Sequence, residues 1–204
     1  ETAYKFAKEG CKIIVTYYKD KNEALIASKK CSELGALDTL LIQLNIMDND
    51  SIKSCVRKII NKFSRIDILI NNARAIVWDN LREQSDEDIE IQIRTNLEGL
   101  IKITKECLPH IKDTIINIAS GAGKDGFGGL SVYCATKFGV RGFTQSMSQE
   151  LRNIKVFSVN PGTTATRITN FTGTSPEKVA EIILNAAKGL YNKKSGSDID
   201  VWNY

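Results

Sequence analysis

The chain has 204 residues, 42% hydrophobic and 25% charged, which is enough to bury the core of one α/β domain. Its net charge of +4 is small and its lysines are scattered, so we expect no nucleic-acid partner. It has neither a signal-peptide pattern nor an apolar run near the roughly 18 residues of a membrane span. The five cysteines include no Cys-x-x-Cys pair, which favours a cytoplasmic protein without a metal site or disulfides.

Helical and strand patterns alternate along the chain. Apolar residues at helical spacing, bounded by glycine, Asp48 or the Ser175-Pro176 start signal, predict helices over residues 1–9, 22–34, 49–63, 85–110, 131–151 and 175–190. Short β-rich apolar runs predict strands over residues 11–17, 39–44, 66–70, 115–119, 154–159 and 199–202.

This alternation predicts the fold class. Strands joined by helices of about a dozen residues or more form parallel sheets through right-handed crossovers. We therefore expect an α/β fold: a Rossmann-like, doubly wound parallel sheet with helices on both faces, in a single domain over residues 1–204. Ligands of such sheets bind at the carboxyl ends of the strands, where Tyr17, Asn45, Asn71, Ser120 and Pro161 fall.

Tyr133 and Lys137 are the first candidate catalytic pair. They lie four residues apart in the predicted helix 131–151 and so share one of its faces. A tyrosine hydroxyl has a pKa near 10, and a neighbouring ammonium lowers that pKa by favouring the phenolate. Tyr133 is thus a candidate general acid and base tuned by Lys137. Taken alone, the pair is equally typical of an ordinary amphipathic helix.

Several short motifs occur together and in order. They are Asn71-Asn72-Ala73 after a buried strand, Asn96 in Thr-Asn-Leu-Glu-Gly, Ser120 with Tyr133 and Lys137 behind it, and Pro161-Gly162 followed by Thr166. In this combination the chain resembles the short-chain dehydrogenase/reductase family, and within it the 3-oxoacyl-acyl-carrier-protein reductase-like members. The resemblance covers nearly the whole chain.

The resemblance implies four catalytic residues. Tyr133 would exchange a proton with the substrate oxygen while a hydride passes to or from a nicotinamide. Ser120 would orient that oxygen, and Lys137 would lower the tyrosine pKa and hold the nicotinamide ribose. Asn96 would anchor a water in the proton relay, although an asparagine inside a helix bonded only to backbone is the open alternative.

The resemblance also implies a set of cofactor-binding residues. These are Tyr18, Asn45, Ile46, Asn72, Ala73, Tyr133, Lys137, Pro161, Gly162, Thr164 and Thr166. An enzyme that uses NAD carries an acidic residue at the end of the second strand of the family fold, whereas Tyr17, Tyr18 and Lys19 stand there in this chain. The missing acid and the nearby Lys19 favour NADP over NAD. The alternative is that Lys19 is only a solvated turn residue.

The chain departs from the family pattern at two further places. The family's first strand and glycine-rich phosphate loop precede the helix in which this sequence opens, so we expect a sheet without its central strand. Either the sequence is incomplete, which we favour, or the chain is a fragment that binds cofactor poorly. Arg74 replaces a family glycine, and we expect it either to crowd the cofactor or to turn out to solvent.

Two functions remain open at this point. The leading one is an NAD(P)-dependent reductase or dehydrogenase acting on a small carbonyl or alcohol, with a 3-oxoacyl thioester as one candidate substrate. Phe127, Leu130 and Phe171 are expected to give its open site apolar walls. The rival is a catalytically silent paralogue or fragment that serves as a binding or assembly module.

The family resemblance also implies self-association. The helices at 85–110 and 131–152 resemble those that pair across a dimer interface, and we expect a homodimer or homotetramer. Ile89, Ile93, Phe138 and Phe143 are the apolar residues that such an interface would use. His110, the only histidine, is expected to have a surface or capping role because it falls at a helix end.

Overall fold

The computed structural model describes all 204 residues except the side chain of Ile168. Its strands are β1 (Lys12–Tyr17), β2 (Asp38–Gln43), β3 (Ile66–Asn71), β4 (Ile111–Ile118), β5 (Lys155–Asn160) and β6 (Asp198–Asp200). Its α-helices are α1 (Thr2–Lys8), α2 (Lys21–Glu33), α3 (Asn49–Phe63), α4 (Asp86–Ile93), α5 (Gly99–Cys107), α6 (Ser131–Glu150) and α7 (Pro176–Ala187).

The strands form two parallel sheets. β1 pairs with β2, and β3 to β6 form a four-stranded sheet in the order β3-β4-β5-β6. In the described part of the chain, β1 and β3 each have one edge without a strand partner. This agrees with the expectation that the sheet lacks its central strand.

Helices cover both faces, and one core lies on each. The first core packs α1, α2 and α7 against residues of both sheets, such as Ile13 of β1 and Ile116 of β4. The second packs α3, α5 and α6 against the opposite face, with Ile42 of β2 and Ile115 of β4. Because each core crosses from one sheet to the other, the two sheets belong to one doubly wound, Rossmann-like fold, as predicted.

The predicted helix-start signals are confirmed. Asp48 caps α3 by accepting hydrogen bonds from the backbone N–H groups of Asp50 at 2.8 Å and Ser51 at 2.9 Å. Ser175 caps α7 by accepting from Lys178 N at 3.2 Å, and Pro176 occupies the first helical position. The end of α7 was predicted at residue 190, but Gly189 has φ of +72° and the helix ends at Ala187.

The predicted long helix over 85–110 is confirmed as a helical run from Asp86 to His110 that changes type along its length. Between α4 and α5 lies a π-helical turn (Arg94–Glu98), and a 3-10 turn (Leu108–His110) follows α5 at Pro109. At the end of the π-helical turn, a Cβ on Gly99 would lie only 2.6 Å from the carbonyl oxygen of Ile46. The chain therefore uses glycine where this helix meets the loop after β2.

Two strand boundaries also differ from the prediction. β4 begins at Ile111 rather than 115, because Ile111 pairs with Ile66 across an irregularity in the β3 ladder. The last strand ends at Asp200, and a 3-10 turn (Val201–Asn203) takes the place of its predicted end. Over the described residues, none of the helices has the length and apolar character of a membrane span.

Candidate active site

Ser120 is placed by the end of β4. It starts a 3-10 turn (Gly121–Gly123), and its Oγ accepts a 3.1 Å hydrogen bond from Ala122 N. The N–H of Gly121 donates at 2.8 Å to the carbonyl of Pro161, just after β5. The serine is thus fixed at the carboxyl ends of two neighbouring strands, where ligands of doubly wound sheets bind.

Gly123 brings this turn against α6. A Cβ on Gly123 would lie 2.8 Å from the carbonyl oxygen of Lys137, closer than real side chains come. Arg141 of α6 reaches the other side of the turn and donates from Nη1 to Gly123 O at 2.6 Å. The absence of a side chain at Gly123 thus allows the serine turn and the tyrosine helix to touch.

Tyr133 and Lys137 lie on one face of α6, almost completely buried. Tyr133 is 5% exposed and Lys137 is 2% exposed. The Lys137 Nζ donates a 2.8 Å hydrogen bond to the carbonyl of Ile118 and lies 5.6 Å from the centre of the Tyr133 ring. The Ser120 side chain interacts with the Tyr133 hydroxyl. Ser120, Tyr133 and Lys137, predicted as a catalytic group, thus come together.

The electrostatics of the pair differ from the expectation. Burial raises the pKa of Tyr133, and the Ser120 and Arg74 side chains offset only part of that rise. Burial, followed by the nearby Arg74 charge, lowers the pKa of Lys137 to about 7. Lys137 is therefore only partly protonated at neutral pH. Desolvation outweighs the charge of Arg74, the cation that lowers the Tyr133 pKa.

Asn96 holds the segment after β3 against α6. It is fully buried in the π-helical turn, its Oδ1 accepts from Ala75 N at 2.7 Å, and its Nδ2 donates to Ala75 O at 2.8 Å. The same Nδ2 donates at 3.1 Å to Thr136 Oγ1, which in turn donates at 2.7 Å to the carbonyl of Tyr133. The polar atoms of the Asn96 side chain are thus hydrogen-bonded to protein groups. Through Thr136 they link Ala75 to α6.

A buried polar network lies beneath the site. Asn71 Nδ2 donates at 2.8 Å both to Thr104 Oγ1 and to Asn117 Oδ1, and Asn117 Nδ2 donates at 2.9 Å to Thr144 Oγ1. The network joins β3 and β4 to α5 and α6, which fixes the relative positions of these strands and helices.

The adenosine-side positions lie on the loops after β1, β2 and β3. Asn45 N donates to Ser51 Oγ at 2.9 Å, its Oδ1 accepts from Met47 N at 3.1 Å, and Ile46 packs against Gly99. Asn72 and Ala73 are exposed directly after β3. Tyr18 is exposed after β1, with Lys19 Nζ 5.2 Å from its ring centre. The loops that carry these positions therefore follow strands of both sheets.

The nicotinamide-side positions follow β5. Pro161 and Gly162 lead into Thr164, whose Oγ1 donates at 3.2 Å to Gly162 O and whose backbone bridges to Thr174. The Thr166 Oγ1 is buried and finds no hydrogen-bond partner among the described residues. A buried hydroxyl without a partner suits the carboxamide of a nicotinamide, so the residues present fit the implied cofactor on this side.

Sequence reasoning missed residues that hold the site together. Thr136 connects Asn96 to the backbone of Tyr133. Arg141 forms a bidentate ion pair with Asp198, and Lys124 pairs with Asp200, so the serine turn and α6 are tied to β6. These partners lie far apart in sequence, and no local pattern connects them.

One of the three residues expected to line the substrate site, Leu130, does not do so. Leu130 is buried with Ala122, Tyr133 and Cys134, so it supports the tyrosine from beneath instead of lining an open surface. Phe127 and Phe171 are both exposed, as a wall requires. Cys134 is a buried packing residue in the same cluster. In the described part of the chain, no group of three His, Cys, Asp or Glu side chains is arranged to hold a metal.

Comparisons with known proteins show the family of this chain. A family model described as short chain dehydrogenase matches residues 1–176. A 3-oxoacyl-[acyl-carrier-protein] reductase from Thermotoga maritima is 33% identical over 190 residues, which cover 90% of this chain and 75% of that protein. A 12alpha-hydroxysteroid dehydrogenase from a Clostridium species is 32% identical over 199 residues, covering 93% and 76%.

The fold is also that of a solved structure, a short chain dehydrogenase from Burkholderia cenocepacia in complex with NADP. The TM-score is 0.89 at 21% identity, over 98% of this chain and 89% of that one. The matching family model and the identity to these relatives show that the chain belongs to the short-chain dehydrogenase family.

Proposed function

We propose that this chain is an NAD(P)-dependent oxidoreductase that interconverts a carbonyl and a secondary alcohol, with Tyr133 as the general acid and base. The observation that carries the proposal is the nearly buried Tyr133 hydroxyl, faced by Ser120 and backed by Lys137 on the same helix. The family supports this reaction class, because relatives of the chain are named as a reductase and as a hydroxysteroid dehydrogenase.

Each site residue has a defined task in this proposal. The Tyr133 hydroxyl donates its proton to the carbonyl oxygen during reduction and takes it back during oxidation. Ser120 donates a hydrogen bond that orients the same oxygen. Lys137, held by the Ile118 carbonyl and 5.6 Å from the centre of the Tyr133 ring, would hold the nicotinamide ribose and lower the tyrosine pKa when protonated. The nicotinamide, when bound, supplies or accepts the hydride.

The proposed cofactor is NADP in preference to NAD. Tyr18 and Lys19 are exposed at the carboxyl end of β1, and neither they nor Tyr17 offers a carboxylate to ribose hydroxyls. Asn45, Ile46, Asn72 and Ala73 would hold the adenosine side, and Pro161, Gly162, Thr164 and Thr166 the nicotinamide side. The structural neighbour from Burkholderia cenocepacia, which contains NADP, supports the choice.

The proposed substrate is a small carbonyl or alcohol compound, with 3-oxoacyl thioesters as the first to test because of the Thermotoga maritima relative. The assay follows loss of NADPH absorbance with a 3-oxoacyl thioester and with a steroid ketone, and repeats it with NADH. Reduction with NADPH supports the proposal. A tenfold preference for NADH would overturn the cofactor choice. Absence of both turnover and NADPH binding would favour a silent binding module.

We further propose a homodimer or homotetramer. Ile93, Ile101 and Phe138 are exposed on α4, α5 and α6, so this helical surface has apolar side chains to bury. Phe143, expected at the same interface, packs into the core instead. Light scattering after gel filtration tests the assembly: a Phe138→Glu variant should shift to a smaller species, and a monomeric parent protein would contradict the proposal.

A cytoplasmic location is also proposed. All five cysteines are unpaired, and Cys31, Cys55, Cys107 and Cys134 are buried as thiols, as in proteins from reducing compartments. Cell fractionation tests the location, and recovery of the protein from the secreted fraction would contradict it.

A further inference from the structure

Arg141 is a charged residue behind the serine turn to which the proposed reaction gives no task. It lies four residues after Lys137 and eight after Tyr133 in α6, so the three residues share one face of this helix. Its side chain is mostly buried, with 19% of its area exposed. Taking a charge out of water is costly unless its partners are well placed, so the contacts of this guanidinium are informative.

Two cations of α6 hold the backbone on either side of Ser120. The Lys137 Nζ donates at 2.8 Å to the carbonyl of Ile118, two residues before the serine. The Arg141 Nη1 donates at 2.6 Å to the carbonyl of Gly123, three residues after the serine. The Gly123 N–H donates in turn at 2.9 Å to the carbonyl of Ser120 itself. The serine is therefore attached to α6 on both sides.

Asp198 fixes the direction of the Arg141 side chain. The Arg141 Nε donates at 3.1 Å to both carboxylate oxygens of Asp198, and Nη2 donates at 2.6 Å to Oδ2. Asp198 belongs to β6, where it pairs in register with Ser158 of β5. Because such a contact leaves a planar guanidinium little freedom, Nη1 stays directed at the Gly123 carbonyl. The ion pair thus connects the sheet to the serine turn.

The turn has a second attachment that does not depend on Arg141. Lys124, the residue after Gly123, pairs with Asp200 of β6. The stem of Arg141 also packs on the turn, since a Cβ on Gly123 would lie 3.1 Å from its Cδ. If the guanidinium is removed and the stem is kept, we therefore expect the turn to shift without unfolding.

We propose that Arg141 is a positioning residue that sets the place of the Ser120 hydroxyl relative to the Tyr133 hydroxyl through the Gly123 carbonyl. The inference rests on the proposed function, in which both hydroxyls must reach one substrate oxygen. Arg141 acts only through the serine turn, without touching substrate or cofactor. Asp198 acts one step further away, by orienting Arg141.

The first test is kcat for carbonyl reduction at saturating NADPH. Arg141→Met, which keeps the stem and loses the guanidinium, should lower kcat about 10- to 100-fold, since a misplacement of about 1 Å can cost about 100-fold. Arg141→Lys keeps a cation and should lose less. Lys62→Met is the matched control, because Lys62 Nζ likewise bonds a carboxylate, that of Asp38, and a backbone carbonyl, that of Thr39, but on β2. Its kcat should equal that of the parent.

A double-mutant cycle shows whether Arg141 acts through Ser120. In a Ser120→Ala background no serine hydroxyl is left to position, so Arg141→Met should lower kcat by less than about threefold. A fall as large as in the parent background overturns the inference, because it would report a general loss of structure.

Hydrogen exchange separates this inference from the proposed reaction, because it needs no turnover. The backbone N–H groups of residues 122–124, all hydrogen-bonded within the turn, should exchange at least about fivefold faster in Arg141→Met and in Asp198→Asn than in the parent or in Lys62→Met. Unchanged exchange in this turn overturns the inference even where activity falls. If the parent turns over no substrate, the proposed function fails, while faster exchange still supports the hold of Arg141 on the turn.

Discussion

Lys137 donates a 2.8 Å hydrogen bond from Nζ to the carbonyl of Ile118, the last residue of β4. This bond ties the helix that carries Tyr133 to the strand that delivers Ser120. Because the Lys137 side chain is buried and its acceptor is a strand carbonyl, the bond helps to fix the relative position of serine and tyrosine. Preorganisation of this kind is what an acid/base site needs.

The contact between the serine turn and α6 predicts the effect of adding one methyl group. Gly123→Ala should lower the free energy of unfolding by about 1–3 kcal/mol, since its Cβ would meet the Lys137 backbone at 2.8 Å. Urea unfolding measures the loss. Gly126→Ala is the control, because nothing lies within 4 Å of that Cβ. Equal stability of the two variants would show that the turn does not press on the helix.

Asn96 predicts a larger loss of stability. Asn96→Ala removes three hydrogen bonds and leaves the N–H and carbonyl of the half-buried Ala75 without their partner. We expect the free energy of unfolding to fall by about 2–4 kcal/mol. Thr136→Val removes only one of these contacts and should cost less. If urea unfolding gives an equally small loss of stability for both substitutions, the hydrogen bonds between Asn96 and Ala75 do not stabilise the fold.

The burial of Lys137 predicts a pH dependence of stability. Its pKa is about 7 in the folded protein, whereas an exposed lysine has a pKa of 10.5, so the unfolded chain binds more protons between these values. The contribution of Lys137 to the free energy of unfolding therefore rises with pH across this window, by up to ~1.4 kcal/mol per pH unit. Below pH 7 the folded protein must bury a charged ammonium.

Thermal unfolding of the parent and of Lys137→Met from pH 7 to 9 isolates this effect, because the other titrating groups are the same in both. The parent should gain stability relative to the variant as pH rises. A difference between them that does not change with pH would mean that the buried amine keeps an ordinary pKa.

The fold and much of the site follow from local patterns. Apolar periodicity and caps such as Asp48 locate the helices, and the alternation of elements predicts the sheet, so Ser120 falls at a strand end and Tyr133 and Lys137 on one helix face. These features depend on residues close together in sequence, where pattern is informative.

Other features depend on contacts between distant segments. The π-helical turn around Asn96 accompanies the close approach of Gly99 to Ile46, more than fifty residues away in the chain. The sequence marks Arg74 as unusual, but the next residue, Ala75, is held by the side chain of Asn96, which lies 21 residues further along the chain. The lowered pKa of Lys137 likewise arises from burial, which no local pattern reports.

The central claim is that the Tyr133 hydroxyl transfers the proton. The direct measurement is kcat/KM for NADPH-dependent carbonyl reduction by Tyr133→Phe and by the parent, with NADPH binding checked by nicotinamide fluorescence. The phenylalanine keeps the ring packing and loses only the hydroxyl. We predict a loss of about 100-fold or more with NADPH still bound. Retention of activity to within about tenfold would contradict the account, since general acid catalysis contributes more than that.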